Sequence, residues 1–235
     1  MNLENKIALI TGANGGLGEA IVKRLLEKNI KKIYCGVRLE NSGKTLETLS
    51  DKISIIQLDL TNTKMLEENL ANIENIDLLI NNAGINSGKR VLDNENIDFN
   101  INLHGTLKMI QILTPKINTG GSIVNVTSVL ALCNLPILGL YSASKSALHS
   151  VTQALRAEVS SKEIQVLEVL PGPIDTKMNL DDTPKASTKD VSSEIIKAIQ
   201  TKEDEVYPDD FSKYVKEALK NKPKDIEKQF AQSVS

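Results

Sequence analysis

Residues 141–145, YSASK, place a tyrosine and a lysine four positions apart with only small residues between them. On a helix, positions i and i+4 lie on one face, so the phenol of Tyr141 and the ammonium of Lys145 would project side by side. A tyrosine has a pKa of ~10, and a neighbouring cation lowers that pKa by favouring the phenolate. The pair is therefore suited to proton transfer, although an exposed tyrosine beside an exposed lysine is the ordinary alternative.

A second chemical signal is the glycine-rich turn TGANGGLGEA, in which Gly12, Gly16 and Gly18 follow a short apolar run and open a predicted helix. Backbone N–H groups at a helix N-terminus attract anions, and glycine lets the chain approach a pyrophosphate closely. The flanking strand and helix favour a dinucleotide-binding turn over a merely flexible one.

The elements that must position these residues alternate between short β-branched runs and longer amphipathic stretches. The runs are apolar without strict alternation, which indicates strands buried on both faces of a parallel sheet. Strands are predicted at 6–11, 32–37, 53–58, 76–82, 122–128, 164–170 and 205–208. Helices are predicted at 16–28, 40–50, 63–73, 94–117, 141–161 and 190–200. This order predicts an α/β fold, a single-domain, Rossmann-type, doubly wound parallel β-sheet of about seven strands flanked by helices on both faces.

The length of 235 residues fits one α/β domain, so residues 1–235 are expected to fold together. After about residue 175 the composition becomes polar, which predicts a flexible loop or lid at 177–189. The final segment, 209–235, is predicted to be a charged and weakly helical tail.

The overall composition excludes several classes of protein. The net charge of −2 gives no basic surface for nucleic acid, and no apolar stretch approaches the ~20 residues of a membrane span. Cys35 and Cys133 form no CxxC pattern, and His104 and His149 lack ligand partners at suitable spacing, so no metal is expected. With no signal-peptide layout at the N-terminus, we expect a soluble cytoplasmic protein.

Further motifs stand in a fixed order along residues 6 to 176. The turn has the spacing G-x-x-x-G-x-G after Thr11, NNAG follows at 81–84, and PGPIDT closes the series at 171–176. Between them lie Asn102, Ser128 and YSASK, with Ser128 thirteen positions before the tyrosine. In this order and register, the motifs resemble the short-chain dehydrogenase/reductase family.

The resemblance implies a catalytic tetrad of Asn102, Ser128, Tyr141 and Lys145. Tyr141 would be the general acid in carbonyl reduction or the base in alcohol oxidation, and Ser128 would hold the substrate oxygen. Lys145 would support the phenolate and bind the nicotinamide ribose. Asn102 would bend its helix and hold a water that links Lys145 to solvent.

The resemblance also implies a set of residues that contact a nicotinamide cofactor. Asp59 is the expected partner of the adenine amine, with capping of the next helix as the alternative. The full set is Gly12, Asn14, Gly15, Gly16, Leu17, Gly18, Arg38, Asp59, Leu60, Asn82, Ala83, Gly84, Tyr141, Lys145, Pro171, Gly172, Ile174 and Thr176.

The end of the second predicted strand bears on the choice of cofactor. Val37 stands where an NAD enzyme would carry an aspartate, and Arg38 follows it. An arginine can bind the 2′-phosphate of NADP through charge-assisted bonds, so NADP(H) is favoured over NAD(H). Asn14 and Gly15 supply no second basic residue in the glycine turn, which argues against tight discrimination.

The substrate is expected to be a small carbonyl or alcohol with an apolar body. The loop VLALCNLPILGL would line one wall through Val129, Leu130, Cys133 and Leu138, unless it packs against a helix or a second subunit. A homodimer through the helices 94–117 and 141–161 is expected. A non-catalytic NADP(H) sensor, or an epimerase or dehydratase on the same fold, is the alternative function.

Overall fold

The computed structural model describes residues 1–179 and 182–234, which form a parallel sheet with helices on both faces. The strand order is β3-β2-β1-β4-β5-β6-β7. The strands are β1 (Ile7–Thr11), β2 (Lys32–Val37), β3 (Ile53–Gln57), β4 (Ile76–Asn81), β5 (Ile117–Val126), β6 (Gln165–Val169) and β7 (Glu205–Val206). Every pairing is parallel, which confirms the predicted doubly wound fold.

Helices cover both faces of the sheet. They are α1 (Gly16–Leu26), α2 (Lys44–Glu47), α3 (Thr63–Leu70), α4 (Thr106–Leu113), α5 (Gly139–Glu158), α6 (Thr188–Thr201), α7 (Asp210–Asn221) and α8 (Pro223–Ala231). Buried side chains of α1 and α6 pack on one face of the sheet, and those of α3, α4 and α5 pack on the other. Both faces of the strands are therefore buried, as their continuous apolar runs predict.

The strand order reverses between β1 and β4. In open α/β sheets a crevice forms at such a point, outside the carboxyl ends of the strands, and ligands bind there. The glycine-rich turn follows β1 and NNAG follows β4, so both motifs lie at this crevice.

Two predicted helices are wrong in extent. The one at 94–117 is a π-helix at Phe99–Gly105 followed by α4, and residues 94–96 precede it as irregular chain. The Glu95 side chain accepts hydrogen bonds from the backbone N–H groups of Asn96 and Ile97, and such local bonds compete with a helix. The predicted helix at 40–50 is a 3₁₀ turn, Glu40–Gly43, followed by the short α2.

The predicted weakly helical tail is also wrong, because most of it forms a packed helix pair. Asp209 caps α7, accepting a hydrogen bond from the backbone N–H of Ser212 at 2.8 Å. Val215, Ile226 and Phe230 form a buried cluster with Val129. We call α7 and α8 the C-terminal cap. Residues 180 and 181 of the predicted loop at 177–189, and residue 235 of the predicted tail, lie outside the described residues.

Candidate functional site

The glycine turn between β1 and α1 is a cradle that side chains would fill. Gly12 has φ +65°, and a Cβ there would lie 2.9 Å from the Cα of Ala83. A Cβ on Gly18 would lie 2.1 Å from the carbonyl oxygen of Gly12. Gly15 stands at the N-cap of α1 with no side-chain cap, so the first N–H groups of that helix are left for an anion.

The NNAG segment is tied directly to the end of β1. The Thr11 hydroxyl accepts hydrogen bonds from the backbone N–H groups of Asn82 and Ala83, at 3.1 and 3.0 Å. The Asn82 side chain donates to the carbonyl oxygens of Thr11 and Gly12, both at 3.1 Å. These bonds fix the two walls of the crevice relative to each other.

A cationic side chain, Arg38, directly follows β2. Val37 is buried, whereas Arg38 is exposed, and the Arg38 guanidinium makes no hydrogen bond or ion pair with any described residue. Asn14 of the glycine turn donates to the Ser42 hydroxyl at 2.9 Å. Asn14 thereby ties the turn to the chain that follows Arg38, and the arginine is free to meet an anion.

The acidic residue after β3 does not cap a helix. Asp59 accepts hydrogen bonds from the backbone N–H and the hydroxyl of Thr61, at 2.9 and 2.7 Å. Asn62 caps α3 instead, accepting from the Met65 N–H. The capping alternative for Asp59 is therefore wrong, and its contact with adenine stays a prediction. Leu60 packs against Gly105, where a Cβ would lie 2.5 Å from the leucine Cβ.

Tyr141 and Lys145 lie one turn apart in α5, as the spacing predicts. The Lys145 ammonium is buried, lies 5.8 Å from the centre of the Tyr141 ring and donates to the carbonyl oxygen of Val126 at 2.9 Å. Burial lowers the pKa of Lys145 to about 8, opposed by the negative charges of Asp98 and Glu168.

The pKa of Tyr141 differs from the prediction. Burial raises it to about 12, the Ser128 hydroxyl lowers it through a hydrogen bond, and the charge of Asp98 raises it. The expected lowering by Lys145 is wrong here, because desolvation of the phenolate is the largest effect on this pKa and Lys145 is not among the groups that lower it. The phenol therefore keeps its proton at neutral pH.

Asn102 lies inside the π-helix, fully buried. Its Oδ1 accepts the Ile85 N–H at 2.8 Å, and its Nδ2 donates to the Ile85 carbonyl and the Ser144 hydroxyl, both at 2.9 Å. Ser144 belongs to the YSASK turn, so Asn102 links the chain after NNAG to α5. The widened turn matches the expected bend of this helix.

Ser128 follows β5 with an extended backbone, φ −170° and ψ 155°. Its hydroxyl accepts the Leu130 N–H at 3.1 Å and donates to the Pro171 carbonyl at 3.4 Å. Thr127 points to the other side of the chain, where its hydroxyl donates to Glu168 at 2.8 Å. Of the two adjacent hydroxyls, only that of Ser128 acts on the pKa of Tyr141.

PGPIDT closes the crevice after β6. A Cβ on Gly16 would lie 2.9 Å from the Cγ2 of Thr176, so this segment contacts the glycine turn. The Gly172 N–H donates to the Asp209 carboxylate at 2.8 Å, and Ile174 pairs with Ala186 in an isolated parallel bridge. Asp209 therefore connects the C-terminal cap to the site.

The apolar loop after Ser128 meets the C-terminal cap. Val129 is completely buried against Val215, Ile226 and Phe230, with Leu130 and Cys133 packed on this cluster. Val129 could contact a substrate only if the cap moved. Leu138 is half-buried at the end of a 3₁₀ turn, and its substrate contact stays a prediction.

Three acidic residues near the site were missed, because each stands outside the recognised motifs. Asp98 and Glu168 are completely buried, and Asp209 is nearly so. Glu168 accepts hydrogen bonds from Thr127 and His149, the latter at 2.8 Å, so His149 is a structural partner of a buried carboxylate. A carboxylate within a strand as apolar as β6 was the available signal for Glu168.

The described residues contain neither a candidate metal site nor a candidate membrane-spanning helix. No three histidine, cysteine or acidic side chains cluster as a metal site would require. None of the helices in the described part of the chain combines the length and apolarity needed to span a bilayer.

The sheet, the glycine cradle and the crevice between β1 and β4 define a dinucleotide-binding fold. A family model described as short chain dehydrogenase matches residues 6–187. The chain therefore belongs to the short-chain dehydrogenase/reductase family of oxidoreductases.

Individual relatives agree with this assignment. An uncharacterized oxidoreductase of Staphylococcus aureus (strain MW2) is 28% identical over 212 residues, covering 84% of this chain and 92% of the relative. The crystal structure of a short-chain dehydrogenase from Burkholderia cenocepacia in complex with NADP has a TM-score of 0.92 and 32% identity, covering 98% of this chain and 99% of that one. A Burkholderia phymatum family member in complex with NAD has a TM-score of 0.81 at 21% identity, covering 97% of this chain and 96% of that one, and shows the fold alone.

Proposed function

We propose that this protein binds NADP(H) in preference to NAD(H) and transfers a hydride between that cofactor and a small carbonyl or alcohol, with Tyr141 as general acid and base. The observation that carries the proposal is the convergence of Ser128, Tyr141, Lys145 and Asn102 beside the crevice that begins at the glycine cradle. A non-catalytic protein of this fold would need the glycine cradle to bind the cofactor, but it would not need these four side chains.

The residues present fit a nicotinamide dinucleotide. The cradle around Gly12 and Gly18 leaves room where side chains would stand, and the N-terminus of α1 offers backbone N–H groups to a pyrophosphate. Arg38 is exposed and unpaired among the described residues, which suits a 2′-phosphate. A family member at 32% identity was crystallised in complex with NADP.

When bound, the cofactor supplies or accepts the hydride. Ser128 and Tyr141 hold the substrate oxygen, and Tyr141 gives that oxygen its proton during reduction. Lys145 lies beside the phenol with a pKa lowered by burial to about 8, so it is still largely cationic at neutral pH. Because burial raises the pKa of Tyr141 to about 12, the phenol is protonated at rest, which is the form that gives up a proton in carbonyl reduction.

The remaining proposals concern the substrate and a second subunit. The half-buried Leu130 and Leu138 offer an apolar wall, so we propose a carbonyl compound with an apolar body. Ile101, Leu103, Leu107 and Ile112 are half-buried on the π-helix and α4, and this surface together with α5 suits a homodimer. Sedimentation of the purified protein measures that association.

The first experiment is a fluorescence titration with NADPH and NADH, followed by oxidation of the preferred cofactor with a panel of ketones, aldehydes and quinones. Tighter binding of NADPH with turnover supports the proposal. Binding without turnover of any panel member favours the alternative, a non-catalytic NADP(H) sensor. If neither NADPH nor NADH binds, the proposed function is wrong, including the role of the glycine cradle in cofactor binding.

Tyr141→Phe isolates the proton donor. We expect turnover to fall by about 10²- to 10⁴-fold, because a positioned acid contributes that much, while NADPH affinity is largely retained. Tyr214→Phe is the matched control, since Tyr214 is exposed in α7 and its hydroxyl donates only to Gln229. Turnover of the Tyr141 variant at the control's rate would disprove this role.

A further inference from the structure

A buried carboxylate lies one helical turn before Asn102. Asp98 is completely buried, and its carboxylate accepts hydrogen bonds from the backbone N–H of Ser87, at 3.2 Å, and from the Ser87 hydroxyl. Among the described residues, no lysine, arginine or histidine forms an ion pair with it. An ionised carboxylate is costly to bury without such a partner, so its position calls for an explanation.

Asp98 and Asn102 together clamp the segment that follows NNAG. The Asn102 side chain accepts a hydrogen bond from the Ile85 N–H and donates one to the Ile85 carbonyl. Asp98 accepts a hydrogen bond from the N–H of Ser87, two residues further on. Gly84 immediately precedes this segment, and a Cβ there would lie 3.1 Å from the Asn102 Oδ1 and 3.4 Å from the Lys145 ammonium. The clamped segment therefore forms the wall beside the catalytic lysine.

The charge of Asp98 also acts on both catalytic side chains of α5. After burial, which lowers the pKa of Lys145 and raises that of Tyr141, the charge of Asp98 raises both pKa values. Lys145 faces one more acidic group, Glu168 of β6, and the phenol of Tyr141 on its own helix. A carboxylate in this position therefore keeps a proton on both groups.

We propose that Asp98 is a positioning residue of the active site, whose carboxylate anchors the segment 85–87 beside Lys145 and places a negative charge near the catalytic side chains of α5. The inference rests on the proposed function, which it deepens, because Tyr141 must carry a proton to give it to the substrate oxygen. It gives a role to an acidic residue that lies outside the catalytic tetrad.

Asp98→Asn tests the charge, because the amide keeps the size of the side chain and an oxygen that can accept the Ser87 N–H. NMR titration of the lysine side chains in the protein without cofactor, with Lys145 assigned from a Lys145→Met variant, gives the midpoint directly. We expect the midpoint of Lys145 to fall by roughly one pH unit, an ordinary effect of a nearby charge.

Ser87→Ala is the control, because it keeps the charge of Asp98 and removes only the hydrogen bond from the Ser87 hydroxyl. In this variant the midpoint of Lys145 should stay near that of the unaltered protein. An unchanged midpoint in Asp98→Asn, or equal shifts in both variants, overturns the proposal.

The pH dependence of carbonyl reduction provides a second readout. Reduction needs a cationic lysine beside a protonated phenol, so kcat/KM falls as the pH rises, first through the pKa of Lys145 at about 8 and then through the higher pKa of Tyr141. Loss of the Asp98 charge lowers both pKa values, and this alkaline limb should move to lower pH in Asp98→Asn but not in Ser87→Ala. If Asp98→Asn does not fold, Asp98→Glu replaces it: the retained charge should leave the lysine midpoint in place, and a downward shift there overturns the proposal.

The two proposals can fail separately. A protein that reduces no carbonyl, yet shows the expected shift in the lysine midpoint, contradicts the proposed function and leaves the role of the Asp98 charge standing.

Discussion

The nucleotide crevice and the substrate side of the site are built in different ways. The crevice consists of backbone contacts between short segments. Gly12 approaches the backbone of Ala83, Gly18 approaches the carbonyl of Gly12, and the Thr11 hydroxyl ties β1 to the residues after β4. Each contact depends on a glycine or a small polar residue at one position in a motif.

The substrate side consists of side chains that come from distant parts of the chain. Val129 packs against Val215, Ile226 and Phe230, and Phe230 stacks on Phe211 with ring centres 6.4 Å apart. The hydrogen bond between Gly172 and Asp209 involves a residue of a short motif, PGPIDT. The other contacts named on this side join residues that are far apart in the sequence. The comparison indicates that cofactor binding and substrate binding can be altered separately.

The largest expected effect that would separate the two sides is that of Phe230→Ala. Truncation of a buried phenylalanine costs about 3–5 kcal/mol, and here the loss falls on the C-terminal cap. We expect faster hydrogen exchange in α7 and α8 and a higher KM for the carbonyl substrate, with unchanged exchange in β1 and α1. The dissociation constant of NADPH should stay the same.

Tyr214→Ala is the control for this change, because Tyr214 lies in the same helix pair with 52% of its surface exposed. It should leave exchange in the cap nearly unchanged. Loss of NADPH affinity in Phe230→Ala, in proportion to the loss of cap stability, would show that the two sides form one cooperative unit and would break the comparison.

The same difference explains what the sequence could predict. The short apolar runs located the strands of the sheet, although β5 begins at Ile117, five residues before its predicted start, and Tyr141 and Lys145 lie side by side as their spacing predicts. These features are local, since a strand or a helical turn is fixed by residues a few positions apart. The crevice could likewise be predicted, because the turn after β1 and NNAG carry it.

The features that the sequence did not predict depend on contacts between distant residues. The helices of the cap are rich in charge, and only their packing on Val129 and the bond from Gly172 to Asp209 show that they meet the segments around the site. The pKa of Tyr141 is set mainly by desolvation of its phenol, which the spacing of Tyr141 and Lys145 does not show. Asp98 lies in a segment of polar composition, and its burial follows from the closure of the π-helix onto the chain after β4.

A smaller effect on the crevice is expected from Gly12→Ala, for which the chain offers a close match in Gly120→Ala. Both glycines have positive φ, +65° and +74°, so a side chain at either position costs about 1–2 kcal/mol of strain. Only at Gly12 would the new Cβ meet a neighbour, the Cα of Ala83 at 2.9 Å, because nothing lies within 4 Å of the position at Gly120. Both variants should lose similar stability from strain, and Gly12→Ala should also bind NADPH about tenfold more weakly or worse. Equal NADPH affinity in the two variants would contradict the role assigned to the cradle.

The smallest expected cost in stability belongs to a change of selectivity within the crevice, because it removes an exposed side chain. Hydrogen bonds to charged groups contribute about 1.5–3 kcal/mol, so Arg38→Ala should weaken NADPH binding by roughly 10- to 100-fold. NADH has no 2′-phosphate, and its affinity should hardly change. Arg24→Ala removes the same charge from α1, where Arg24 pairs with Glu27, and should spare both cofactors. Titration of each variant with NADPH and NADH measures the ratio of the two affinities directly.

An equal loss of affinity for both cofactors in Arg38→Ala would mean that the arginine supports binding of the adenosine end of either cofactor. The preference for NADP(H) would then have no residue to carry it, since Asn14 and Gly15 add no positive charge to the turn.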